Sequence, residues 1–492
     1  MYSGFITTIK NVRPHPNADR LQLGECFGNT VCVSLDYTEG QMGVYFPTDG
    51  QLSMEFCKAN NLLRLYDEEG HSIPGGGYMD PKKRNVSAIR LRGEKSDGLF
   101  LPLTCLESFG NISDLKVGPI TVFNGHEICR KYIPPVKDTA QFDKKSRTRK
   151  KKTPIAPLFM EHIDTAQLAY NLDAFKPKDE IEITLKMHGT SQRTGYLPVF
   201  KGYNDSFGCR AGNAIRHVLN KMGVKSGEDH HDGEPIYDWG YVSGTRRTVL
   251  ENYEGGFYGN DKFREKHHKA FEGKLWKGET VYYEVVGFLT DGRPIMASCD
   301  NKKLQDKDFI KQYGKTTTFS YGCEPIGFKV YPADPKMPTA TPTIDFTTTQ
   351  SDVYVYRMTM TNEDGNVVEY TPDFMRYRCE QMGVKAVPVF WKGAISSSID
   401  IDVFKDGSII EKFDISPGEW VKAKVEEFYD GPDPVGKTHV REGAVVRILN
   451  RPTFTAFKHK NFSFKVLENI IKLEAEAPDM EEADEIEEMD EN

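Results

Sequence analysis

The chain has 492 residues, more than one ordinary domain needs, and can bury more than one core. Its 38% hydrophobic and 11% aromatic content suits a globular protein in water, and no apolar run is long enough to span a bilayer, so no membrane partner is expected. The net charge of −8 conceals an asymmetry: Glu474 to Asn492 carries eleven acids and no base, so the remaining chain is mildly basic, which fits either a protein that meets polyanions or ordinary surface charge with a solubilising tail.

Residues 1 to about 135 read as mostly β. Short apolar runs at Phe5–Ile9, Thr30–Val33 and Val44–Phe46 are separated by turn signals at Gly28-Asn29, Gly40, Gly43 and Pro47-Thr48-Asp49-Gly50. The pattern predicts a short helix from about Met54 to Leu63, a flexible loop at Gly75-Gly76-Gly77 and a strand over Ala88–Gly93. So many short strands around one helix predict a small barrel of OB type. Val12 to Leu21, with its Pro14-His15-Pro16-Asn17-Ala18-Asp19 core, resembles the opening of the OB modules known as tRNA-binding domains. Arg84, Arg90, Arg92 and Lys95 surround the last strand and offer bases to an oligonucleotide, or merely solvate a strand edge. From Pro134 to Pro157 the composition shifts to prolines and the run Lys144 to Lys152, an extended, self-repelling linker. Its bases could track a phosphate backbone or only keep the linker solvated.

A second domain is predicted from near Leu158, with Asp164 capping a short helix through about Asn171. The run Glu180–Leu185 alternates polar and apolar residues and predicts a half-buried strand. A Gly- and Asp-rich region extends to about Glu234, followed by Tyr241–Thr248 and a basic helical stretch from Lys262 to Lys274. Val281–Phe288 and Val353–Met360 predict strands, Pro332 to Gln350 a loop, and Asp373 to Met382 a helix closed by Gly383. The last predicted strands are Gly443–Ile448 and Ala456–Lys460. The nine cysteines are scattered without a C-x-x-C pair, and no charged-apolar leader opens the chain, which predicts a cytoplasmic protein with reduced thiols. His230-His231 and His267-His268 are adjacent and not at metal-ligand spacing, which argues against zinc.

The chemistry centres on Lys186-Met187-His188-Gly189-Thr190, where the strand Glu180–Leu185 gives way to a turn. A lysine there can stand at a pocket mouth, with Gly189 letting backbone amides approach a ligand. A lysine that attacks a nucleotide α-phosphate must lose a proton, helped by nearby cations and partial desolvation. The charge developing on phosphate then needs metal ions and further bases. Lys458 and Lys460 are two apart on a predicted strand, share one face and could supply that charge. Glu284 and Glu442 suit a divalent metal or ribose hydroxyls, and Tyr356 offers a flat face to a purine. Each alone reads as a solvated charge or a core tyrosine; together, in this order, they read as a site.

This set resembles the motifs of the covalent nucleotidyltransferases, the superfamily of ATP-dependent ligases and messenger-RNA capping enzymes. Lys186-Met187-His188-Gly189 looks like the nucleotide-attachment motif, with the histidine more typical of RNA ligases. Ser243-Gly244-Thr245-Arg246 resembles the motif that follows it, and Tyr282–Gly287 the third, with Glu284 as its acid. Val355-Tyr356-Arg357 is similar to the segment whose aromatic packs on adenine. Arg441-Glu442-Gly443 looks like the fourth motif and Lys458-His459-Lys460 the fifth. An OB module placed first is similar to the Deinococcus-type, or fifth, RNA ligase family. The resemblance implies an α+β protein: an N-terminal OB-type β-barrel (1–135), a basic linker (136–157), a nucleotidyltransferase (ATP-grasp-like ligase) domain of antiparallel sheets with flanking helices (158–473) and an acidic tail (474–492). It implies ATP and Mg2+ or Mn2+ as cofactors, and RNA or an RNA-containing nicked duplex as partner. It implies Lys186 as nucleophile, with His188, Gly189, Arg246, Glu284, Tyr356, Glu442, Lys458 and Lys460 around the nucleotide and Glu284 and Glu442 on the metal. Two alternatives stay open: a capping-type guanylyltransferase that takes GTP, and a non-catalytic RNA-binding OB protein with a degenerate transferase domain.

Overall fold

The computed structural model describes residues 2–67, 69, 71–133, 155–162, 165–224, 227, 229–250, 253, 262–289, 294–296, 301–304, 306–314, 329–330, 344–345, 351–395, 400–405, 408–436 and 439–475. Nearly all of the predicted linker, most of the Pro332–Gln350 loop, Asp164 and the acidic tail beyond residue 475 lie outside these. The chain is α+β, built mostly of antiparallel sheets with few helices.

The N-terminal strands follow the turn signals of the sequence. Gly4–Thr8 pairs with Met42–Phe46 and Gly118–Ile120, and Leu99–Pro102 completes a four-stranded antiparallel sheet. Lys10–Pro14, Leu21–Cys26 and Asn29–Ser34 form a meander, and Ala88–Leu91 and Glu94–Asp97 a hairpin. The pairings among the described residues do not close into a ring. The predicted helix is shorter than expected, Met54–Ala59, capped by Ser53 and ended by Asn60. The proline-rich opening serves the fold: His15 Nε2 lies 3.1 Å from the Leu91 carbonyl and Asn17 donates to the Arg92 carbonyl at 3.0 Å. Two of the four bases are likewise engaged internally. Arg84 donates to the Leu52 and Pro81 carbonyls, and Arg90 pairs with Asp306 at 2.6 Å.

Two sheets carry the rest. In the first, Glu180–Leu185 lies between Gly443–Ile448 and Val389–Ala394, antiparallel to both, and Thr455–Lys460 extends the far side. Its alternation sets direction as the sequence implies, but the strand is covered on both faces and not half-buried: Ile181, Ile183 and Leu185 are buried, the two isoleucines against Val421 and Val425 of the helix Pro417–Glu426, while Glu182 and Thr184 face the other way, where Glu182 is also buried. In the second, Thr190–Tyr203 is flanked by Pro235–Gly244 and Glu279–Val286, and Asp352–Thr361 follows. Val281, Tyr283 and Val285 enter a core with Phe263 and Phe271 and with Met375, Cys379 and Met382 of the helix Pro372–Met382. That helix ends at Gly383 with φ 69°, a left-handed conformation that glycine adopts without a Cβ penalty.

Four local expectations change. Instead of a helix to Asn171, a short strand, Ala166–Gln167, runs parallel to the Thr455–Lys460 strand and leads into two tight 3-10 turns. The basic stretch from Lys262 is helical only to Lys269, and it buries Arg264, His267 and His268 instead of solvating them. The Gly- and Asp-rich region holds a helix, Phe207–Lys221, started by Ser206 accepting from Cys209 N. After the last strand the chain enters a further helix, Phe462–Ala475, whose Phe464, Val466 and Leu467 are buried.

Candidate active site

The turn Lys186–Gly189 is the crossing from the first sheet to the second. On one side the Lys186 amide donates to the Gly443 carbonyl at 3.1 Å; on the other Thr190 already pairs with Val285. Gly189 is needed here for a reason the sequence reading did not give. A Cβ at this position would stand 2.3 Å from the Val285 carbonyl oxygen and 3.0 Å from Glu284 Cγ, so the glycine lets the turn press against the neighbouring strand. Gly443 plays the same part in the first sheet, where a Cβ would meet the His459 carbonyl at 2.1 Å.

One cavity is walled by both sheets, and every predicted site residue lines it: Lys186, His188, Gly189, Arg246, Glu284, Tyr356, Glu442, Lys458 and Lys460. Strand alternation explains how. Glu284 lies between the core-facing Tyr283 and Val285 and so faces the opposite side. Lys458 and Lys460 share a face, while His459 between them is buried against Glu426, 3.2 Å away. Tyr356 arrives by a register break: Tyr282 pairs with Arg357 but Tyr283 with Val355, so Tyr356 is the extra residue of a bulge, a feature that re-aims a side chain. Its hydroxyl meets Ser191 Oγ at 2.9 Å, and its ring lies 5.1 Å from that of His162.

The ionic part of the cavity is a chain of alternating charges. Lys186 Nζ and Lys460 Nζ approach the same oxygen of Glu442, Oε1, at 2.6 and 3.4 Å, and Lys460 also reaches Glu468 at 2.6 Å. His188 Nδ1 is 3.3 Å from Glu442 Oε2, but that buried oxygen makes no hydrogen bond of good geometry. Burial pushes the Glu442 carboxyl up, yet Lys186, Lys460 and His188 outweigh it and hold it well below the ordinary carboxylate range. Glu442 is therefore a carboxylate with an oxygen to spare. A divalent ion fits this donor set. Among the described residues, groups of three or more close potential ligands lie elsewhere, at Asp67, Glu69 and His71 and at Asp205, Cys209 and Asp232. Two carboxylates beside a phosphate site are the usual complement for Mg2+, which takes its other ligands from water and phosphate.

Several residues at the site were not legible beforehand. Arg193, 1% exposed, donates to the carbonyls of Phe159, Met160, Thr245 and Arg247, tying the segments that carry His162 and Arg246 to the Thr190–Tyr203 strand. Arg264 is fully buried and holds the Ser191 carbonyl and Thr190 Oγ1 at 2.9 and 2.6 Å. His162, Phe454 and Glu468 line the cavity as well. Arg357 points away from any nucleotide role: it forms a forked ion pair with Glu369 and sits over the Tyr282 ring, 4.5 Å from its centroid. A charge-dense pocket and an aromatic wall together make a cavity suited to a nucleoside polyphosphate.

No family model matches this sequence, and no curated protein matches it. Among solved structures it is similar to the RNA ligase of Naegleria gruberi. A variant of that ligase with AMP and Mn is 14% identical, covers 94% of this chain and 97% of its own, and has a TM-score of 0.49. A variant with ATP and Mn (14%, 95% and 98%, 0.48) and the ligase with PPi (14%, 96% and 98%, 0.47) are alike in degree. Likeness this distant speaks to neither substrate nor mechanism, which rest on the cavity.

Proposed function

We propose that the chain is an ATP-dependent RNA ligase that works through a lysyl-AMP intermediate. The observation that carries this reading is the convergence of Lys186, Glu284, Tyr356, Glu442, Lys458 and Lys460, six residues spread over 275 positions of sequence, on one cavity. ATP would lie with its adenine against Tyr356 and its α-phosphate among Lys186, Lys458 and Lys460. Lys186 Nζ, once it leaves Glu442 and loses its proton, attacks the α-phosphate; pyrophosphate departs and a phosphoramide bond to AMP forms. AMP then passes to a 5′-phosphate end, and a 3′-hydroxyl attacks that activated end and expels AMP. Glu284 and Glu442 would hold Mg2+ or Mn2+, which supplies charge neutralisation at the phosphate oxygens. The residues contribute mainly alignment and preorganised charge. The first 135 residues, as an OB-type module, and the basic linker 136–157 would clamp a nicked duplex with RNA on the 3′-hydroxyl side, in the manner of the Deinococcus-type ligases. Residues 158–473 would form the transferase domain.

The test is label transfer. With radiolabelled ATP the protein should take up label that is stable to alkali and labile to acid and to acidic hydroxylamine, as a phosphoramide is, and Lys186→Ala should take none. Label from GTP in place of ATP would overturn the ligase reading in favour of a capping-type transferase, and no label from either would leave an RNA-binding protein. Sealing of an all-DNA nick as readily as one ending in RNA would remove the RNA assignment.

A further inference from the structure

The C-terminal helix Phe462–Ala475 touches the ionic cluster from outside the strands that build it. Glu468 lies 2.6 Å from Lys460 Nζ and is 15% exposed, while Phe464, one turn earlier along the same face, packs edge-on against the His188 ring with centroids 4.6 Å apart. Lys460 therefore has two carboxylates to choose from, Glu468 at 2.6 Å and Glu442 Oε1 at 3.4 Å, and stands nearer the first. The same Glu442 oxygen is the partner of Lys186 at 2.6 Å. Two ammonium groups cannot both approach one buried oxygen closely without repelling each other. We infer that Glu468 is a positioning residue: it draws Lys460 toward the terminal helix, leaves Glu442 Oε1 to Lys186, and so sets the spacing of the two lysines that flank the α-phosphate. The inference rests on the ligase reading of this cavity. On the neighbouring flank of the helix Lys465 stands 2.6 Å from Asp97 Oδ2 and ties the helix to the N-terminal strands, which provides an internal control for the helix's purely structural contribution.

The experiment is single-turnover transfer of AMP from radiolabelled ATP to the intact chain, at several ATP concentrations, with thermal unfolding recorded in parallel. Glu468→Gln keeps the shape and removes the charge; it should slow transfer at saturating ATP by about ten- to hundred-fold, as a misplacement near 1 Å does, and move the half-saturating ATP less than three-fold. Glu468→Asp should recover most of the rate, whereas Lys465→Met should lower the Tm and leave the rate within two-fold. Transfer by Glu468→Gln within two-fold of the parent overturns the inference. So does a rate that falls in step with Tm in both helix variants. If the parent itself takes no label, the ligase reading fails, and it does so separately from the role of Glu468.

Discussion

Replacing Glu442 by glutamine is the most direct perturbation of the cavity. The side chain is 2% exposed and stands within 3.4 Å of Lys186, Lys460 and His188, so the isosteric change withdraws the one charge these groups share. Removing one partner of a buried ion pair costs about 3–5 kcal/mol, because the other charge is left uncompensated. Here the orphans have relief: Lys186 keeps 22% of its side chain exposed and Lys460 keeps Glu468 at 2.6 Å. Discounted for that, the expected loss is about 2–3 kcal/mol. It reads as a lower urea midpoint with an unchanged slope. Adding Lys186→Met to the glutamine variant should return part of the loss, because the two residues act as a unit. Transfer of AMP should fall by about a hundred-fold or more, the scale of losing a preorganised charge in a catalytic pocket. A glutamine variant with the parental urea midpoint and the parental labelling rate would refute both the electrostatic account and the place of Glu442 in the chemistry.

Gly189→Ala puts a Cβ 2.3 Å from the Val285 carbonyl, and the strand must yield at a cost of about 1–3 kcal/mol, visible as a fall in Tm; an unchanged Tm would mean that the turn is not pressed against the sheet. Burial, with help from Lys266 and Arg264 and against Asp352, pushes His267 from 6.5 down to about 4. The unfolded chain therefore takes its proton first: stability is intact above pH 6.5 and drains away as pH falls toward 4, by up to about 3 kcal/mol, and His267→Asn should flatten that arm of a urea-midpoint profile. Tyr356→Phe keeps the ring and loses the Ser191 bond, so the half-saturating ATP should hold, whereas Tyr356→Ala should raise it about ten-fold or more, the worth of one stacked base; equal effects would deny the ring a role.

How much was legible follows from where each residue sits. Lys186, Glu284, Glu442, Lys458 and Lys460 lie on strands or at their ends, where a period of two decides which way a side chain faces, and that period can be read from sequence. Tyr356 was found by type, but its aim comes from a bulge that no spacing reveals, since the extra residue is defined only against Tyr282 and Tyr283 on the partner strand. Gly189 was found for the room it leaves a ligand, but its closeness to the Glu279–Val286 strand depends on a pairing that no local spacing reveals. Arg193 and Arg264 could not be found at all, because buried guanidinium groups that bond to carbonyls look like surface bases in a sequence. The terminal helix was missable but readable, with apolar residues at 464, 467 and 471 at helical spacing before the acidic run takes over. Of the four bases near the Ala88–Leu91 strand, Arg84 and Arg90 look free in sequence but are engaged within the fold, because their carbonyl and carboxylate partners come from other segments.

The crossing turn explains why these separate signals had to occur together. Lys186 is held to the first sheet through Gly443, and four residues later Thr190 is registered against Val285 in the second. A one-residue slip in either sheet would turn Glu284, or the Lys458 and Lys460 pair, to the opposite face. The lysine's surroundings are thus fixed by two independent registers joined through a tight turn. Glu442 and Lys460 come from one register, Glu284 and Tyr356 from the other, and Glu468 from a helix outside both. Chance motifs have no reason to satisfy both registers at once. It is this joint geometric condition, more than the motif matches taken singly, that makes the cavity a candidate for chemistry on a nucleotide.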